Sequence, residues 1–157
     1  MKTITELERI ADLARTGQQW LHIRERGRVE CRGQSLPLMS ITMGPEDPSL
    51  PTLGLFGGVH GLERVGSHVV IHVLESLVKR LQWDAVFQSQ LERIRIVSMP
   101  VINPGGIMLR TRANPAGVDL MRNSPVNAIS RTTPMVGGHR WSKWLPWYRG
   151  KAGEPME

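Results

Sequence analysis

The stretch Gly57-Gly58-Val59-His60-Gly61-Leu62-Glu63 sets an imidazole and a carboxylate three residues apart, directly after an apolar run that ends in two glycines. Both groups bind Zn²⁺ at ~2.0–2.2 Å, and a catalytic zinc of the two-histidine, one-glutamate kind needs one further histidine and an open position for water. The pair reads as two of three protein ligands. The plainer alternative is that His60 satisfies a turn while Glu63 caps the helix behind it. Farther on, Arg112 and Arg122 stand ten residues apart around Gly117, with Asp119 between them. Two guanidiniums converging on one pocket would grip a carboxylate through paired hydrogen bonds and stabilise a developing oxyanion. Equally, they would tie a loop down through Asp119 and nearby carbonyls.

Two more groupings carry chemistry-bearing residues. His68 and His72 have the i, i+4 spacing of a helical zinc pair but lack that motif's glutamate, since Val69 follows His68. Surrounded by Val70, Ile71, Val73 and Leu74, they read as histidines packed on a helix with local hydrogen bonds. Residues 137–150, GGHRWSKWLPWYRG, interleave Trp141, Trp144, Trp147 and Tyr148 with Arg140, Lys143 and Arg149. Ring packing on the domain is the favoured reading. A rim for peptide side chains and a stacking surface for single-stranded nucleic acid are the alternatives.

The elements that must position these groups follow from periodicity. Residues 3–15 place Ile4, Leu7, Ile10, Ala11 and Ala14 at helical spacing, with Leu13 widening the stripe and Thr3 or Thr5 available as a cap. Residues 20–44 shorten to two strand-like runs joined by a turn at residues 33–35. A proline loop at residues 45–51 leads into TLGLFGGV, residues 52–59, whose continuous apolarity predicts a central strand buried on both faces. The histidine-glutamate motif then sits on a strand-to-helix turn, where ligands gather in open α/β folds. A long, largely buried helix over residues 64–83, a short helix near residues 84–92 and a strand over residues 94–103 come next. Beyond Asn103 the composition is that of loops, which often carry binding groups.

Composition bounds the reading. The 157 residues, 40% of them apolar, suit a globular interior, and no window nears the ~18 apolar residues of a membrane span. The acidic N-terminus does not resemble a signal peptide, so the expectation is a cytoplasmic protein without membrane partners. The lone Cys31 excludes a cysteine-rich zinc site, leaving any metal to histidine and carboxylate. Basic charge gathers in residues 110–151, where Arg110, Arg112, Arg122, Arg131, Arg140, Lys143, Arg149 and Lys151 face one acid, Asp119. Six arginines among eight bases favour planar anions as ligands.

Taken together, GGVHGLERVG followed about forty residues later by PVINPGGIMLRTRANPAGVDLMRN resembles the zinc carboxypeptidase family. The order and spacing of the motifs carry the resemblance: a HxxE pair after a central strand, the turn Asn103-Pro104-Gly105, and an arginine in a TRxNxxGVDLNRN stretch. The resemblance implies that His60 and Glu63 are ligands of one zinc ion. It implies that Arg112 polarises the scissile carbonyl and that Arg122 anchors a terminal carboxylate. It also implies an α/β fold with a central, mixed, largely buried sheet flanked by helices. Met121 stands where the family has an asparagine, and Leu62 where digestive members have an arginine, which points to a divergent branch. Residues 153–157, GEPME, resemble the family's SEPET segment. The third zinc ligand and the general-base glutamate lie beyond that segment in the family, and His139, Glu154 and Glu157 do not fit those places.

Residues 1–157 are thus expected to be one domain, the N-terminal portion of such a catalytic domain. The expected function is zinc-dependent hydrolysis of terminal peptide or amide bonds, with this form inactive alone. Its substrate is a peptide or acyl-amino acid bearing a carboxylate. An exposed sheet edge would favour homo-oligomers. The alternatives are an amidohydrolase resembling aspartoacylase and succinylglutamate desuccinylase, and a basic module binding anions or nucleic acid.

Overall fold

The computed structural model describes residues 4–124 and 139–151; Thr3, Arg131, Gly137, Gly138 and the GEPME segment lie outside them. Nine elements follow in order: α1 (Thr5–Thr16), β1 (Leu21–Cys31), β2 (Gln34–Met43), β3 (Thr52–Phe56), α2 (Val65–Leu81), α3 (Ala85–Leu91), β4 (Arg95–Met99), α4 (Pro104–Leu109) and a short 3₁₀ turn at Leu120–Arg122. The strands form a mixed sheet in the order β1-β2-β4-β3. The hairpin β1–β2 is antiparallel, β2 runs antiparallel to β4, and β3 runs parallel to β4. Parallel pairing requires a crossover, and α2 with α3 supplies it. The α/β class with a mixed sheet is as expected.

The core gathers on β2, β4 and the inner face of α2. Ile41, Met43, Ile71, Leu74 and Leu81 are wholly buried, with Ile96, Val101, Ile107 and Met108 beside them. Each such side chain contributes about 1.5–3 kcal/mol relative to exposure. Among the described residues no helix is long and apolar enough to cross a membrane.

Four local expectations change. The strand at residues 52–59 is shorter, Thr52–Phe56, and lies at the sheet's edge with Leu53 and Phe56 more than half exposed. Its composition is that of an interior strand, but among the described strands only β4 pairs with it, so one edge stays unpaired and only Leu55 packs partly on the core. In α1 the expected Ile10 and Leu13 are buried, but the face turns toward Glu6, leaving Leu7 and Ala14 half-buried and Ala11 exposed. No side chain caps that helix, and Ile4 occupies the cap position. The strand expected over residues 94–103 stops at Met99, because Pro100 and Pro104 bracket a turn into α4. Helix α4 itself falls where loop was expected. Asn103 caps it by accepting from Gly106 N–H at 2.7 Å, and Pro104 occupies its first turn.

Candidate functional site

The carboxyl ends of β3 and β4 present the site. Their pairing continues past the strands: Gly57 N–H donates to the Met99 carbonyl, Ile102 N–H to that of Gly57, and Asn103 N–H to that of Gly58. Gly58, at φ 65°, turns the chain out of the strand, a conformation that side chains disfavour. Gly61 then lies against α4, where an added Cβ would sit 1.9 Å from the Gly106 carbonyl carbon. The Asn103 amide donates to the Val59 carbonyl at 3.1 Å while capping α4, so one buried side chain joins the helix to the turn. This is the physical content of the Asn-Pro-Gly motif: it seats the backbone on which His60 and Glu63 stand.

His60 is buried, with a carboxylate on each ring nitrogen. Nδ1 lies 3.2 Å from Glu63 Oε2, and Nε2 lies 3.2 Å from Asp119 Oδ1. A neutral imidazole has one N–H, so it donates to one carboxylate and turns a lone pair toward the other. Donation from Nε2 to Asp119 fixes the tautomer that leaves Nδ1 facing Glu63, the arrangement by which an outer carboxylate orients a metal-binding histidine. Two ligand atoms ~2.0–2.1 Å from a tetrahedral zinc are about 3.3–3.4 Å apart, close to the observed spacing. The donor pair fits two positions of a zinc site. Among the described residues no group of three His, Cys, Asp or Glu side chains is arranged to hold an ion.

Asp119 is the hub of the guanidinium pair. Its Oδ2 accepts from Arg112 Nε and from Arg122 Nη1, both at 2.9 Å, and its Oδ1 accepts from Met121 N–H. Arg112 also reaches Glu63 Oε1 through Nη1 at 2.9 Å. Burial works to raise the Asp119 pKa, but hydrogen bonds from Arg112 and His60 and the two guanidinium charges outweigh it and hold the carboxyl below its usual range. His60, Glu63, Arg112 and Arg122 thus form one contact network. The Arg-to-Asp tying left open in the sequence is present, and it brings Arg112 beside the histidine-glutamate pair.

The aromatic segment meets this loop through its backbone, Tyr148 and Arg149, but the ring packing expected of it fails for Trp141, Trp144 and Trp147, which are all exposed. Asp119 N–H donates to the Tyr148 carbonyl, Arg149 Nε donates to the Arg122 carbonyl, and the Arg122 guanidinium carbon lies 5.4 Å from the centre of a Trp147 ring. An open cavity of about 410 Å³ borders Arg112 and Asp119, with Pro115, Trp144 and Trp147 on its walls. His68 and His72 lie on the outer face of α2, where each meets a carboxylate rather than an apolar neighbour: His68 Nε2 is 2.9 Å from Glu6, and His72 Nδ1 is 3.7 Å from Glu75.

The sequence reading missed the link from Asp119 to His60, which spans 59 residues, and the part played by Glu6. Glu6 is wholly buried and takes two hydrogen bonds from Arg64, at 2.6 and 2.8 Å, besides its contact with His68. Its one sequence signal is its place on the Ile10–Leu13 face of α1.

The zinc carboxypeptidase family model matches residues 19–142, and the chain belongs to that family. Human carboxypeptidase D is 30% identical over 131 residues, which cover 75% of this chain and 10% of that protein. Carboxypeptidase SOL1 of Arabidopsis thaliana is 32% identical over 75 residues, or 48% of this chain and 15% of that one. A metallo-carboxypeptidase from Burkholderia cenocepacia superposes with a TM-score of 0.60 at 25% identity, covering 74% of this chain and 32% of its own. Thrombin activatable fibrinolysis inhibitor shares the fold, with a TM-score of 0.66 at 16% identity over 92% of this chain and 38% of its own. The chain spans a small part of these curated relatives and about a third of these solved structures.

Proposed function

We propose that these residues carry part of the site of a zinc-dependent, metallocarboxypeptidase-like hydrolase of terminal peptide or amide bonds. One observation supports this above others: His60 lies between two carboxylates, with Asp119 orienting the ring and Glu63 facing the free nitrogen across a gap that suits a divalent cation. His60 Nδ1 and Glu63 would hold one zinc ion, which when bound polarises a carbonyl and lowers the pKa of its water.

The chain's own groups supply the rest of what is proposed. Arg112, held at Nε by Asp119 and at Nη1 by Glu63, would stabilise negative charge developing on the substrate's carbonyl oxygen. Arg122 would grip the substrate carboxylate, and stacking on Trp147 restricts its guanidinium. The cavity beside Arg112 gives room for the neighbouring side chain of a peptide or acyl-amino acid. Zinc held by two protein ligands is labile, so weak binding and negligible hydrolysis by these 157 residues alone are expected.

Calorimetric titration of the full chain with Zn²⁺ tests the reading. One ion per chain, lost in both His60→Ala and Glu63→Gln, is the expected result. Binding that survives both substitutions would overturn it. An N-blocked dipeptide with a free carboxylate should bind more tightly than its amide-capped form, and Arg122→Gln should erase the difference.

A further inference from the structure

Glu63 lies in a turn between β3 and α2, is 60% exposed, and depends on the surrounding fold for its aim. The next residue, Arg64, is held by Glu6 of α1 through two hydrogen bonds at 2.6 and 2.8 Å. Glu6 has no exposed surface, and His68, one helical turn beyond Arg64, holds the same oxygen at 2.9 Å. A buried carboxylate paired with a guanidinium is costly to strip of its partner, so this clamp holds the start of α2 in place. The turn is thereby fixed at His60 through Asp119, at Gly61 against Gly106, at Glu63 through Arg112, and at Arg64 through Glu6.

Helices α1 and α2 have a second link that sets the clamp apart from mere helix docking. Arg9 pairs with Glu75 at 2.8 Å, and Glu75 lies eleven residues past Arg64, three turns along α2 from the zinc-binding pair. The clamp is the one that ends at the turn.

We propose that Glu6, acting through Arg64, is a positioning residue that keeps the Glu63 carboxylate facing His60, so that α1 takes part in metal binding without touching the metal. This rests on the proposed zinc role of His60 and Glu63. The expected size of the effect is that of other outer partners of metal ligands, a ~10–100-fold loss of affinity.

The test compares Zn²⁺ affinity with thermal stability for the full chain and three variants, using His60→Ala to define the specific component. Glu6→Gln and Arg64→Lys should each weaken Zn²⁺ binding by about tenfold or more at temperatures where they remain folded. Glu75→Gln, which loosens the same helix pair elsewhere, should lower the melting temperature without changing the affinity. Equal affinity in the parent and the first two variants would overturn the inference, as would an equal loss in all three. Failure of the parent chain itself to bind Zn²⁺ would instead overturn the proposed function, and this inference with it.

Discussion

Two carboxylates, Glu6 and Asp119, are buried to the same degree, and each is held by guanidinium and imidazole groups on one side of the same turn. Asp119 gathers Arg112, Arg122 and His60, all proposed to serve the metal or the substrate. Glu6 gathers Arg64 and His68, which face solvent and touch neither. The physical device is the same in both places: an anion removed from water and repaid by charge-assisted hydrogen bonds, which fixes its partners in one geometry. What differs is which partners are fixed. Around Asp119 they are the proposed working groups, and around Glu6 they are the backbone beside one of them.

The largest effect expected from breaking this symmetry belongs to Asp119. Asp119→Ala strands two guanidiniums and frees the His60 ring, and chemical denaturation should show a loss of about 3 kcal/mol, since the arginines are partly exposed and recover some hydration. The same variant should lose Zn²⁺ binding more severely than Glu6→Gln. In Glu6→Gln one anion becomes an amide of similar shape while Arg64 can turn to water, so the expected cost is smaller, about 1–2 kcal/mol in the same measurement.

Acid titration sharpens the comparison further. At Glu6, burial pushes the pKa up, but hydrogen bonds from Arg64 and the chain itself, the Arg64 charge and the His68 contact bring it below the ordinary value of 4.5. Asp119 is held below its ordinary value of 3.8. A carboxylate with a depressed folded pKa contributes stability that is fully present above its unfolded value and is lost as pH falls through the folded one. Unfolding free energy measured downward from pH 5 should therefore decline below about pH 4.5, and the double variant Glu6→Gln, Asp119→Asn should show a shallower decline. The smallest effect falls to the partly exposed pair Arg9–Glu75, where Glu75→Gln should cost about 0.5–1 kcal/mol.

The two carboxylates also differ in how far the sequence reveals them. Asp119 stands between two arginines in a patterned stretch, so a role with guanidiniums is legible, although its partner His60 is far away in the chain. Glu6 lies in an ordinary amphipathic helix, and a buried stripe over Ile4, Leu7, Ile10, Ala11 and Ala14, with Leu13 at its margin, leaves Glu6 outside it. Only the partner helix, carrying Arg64 and His68, makes a charged residue belong on the inner face. The strand β3 shows the same limit, because its apolar letters are plain while its burial depends on neighbours no local pattern names. Helix α4 was within reach, since an Asn before a Pro marks a helix start.

The most direct test of the central claim is zinc-edge X-ray absorption on the Zn²⁺-loaded chain. The account predicts one imidazole nitrogen at ~2.0–2.1 Å and carboxylate oxygen at ~2.0–2.2 Å, with the imidazole signature absent in His60→Ala. A zinc environment without imidazole, or one that His60→Ala leaves unchanged, would contradict it.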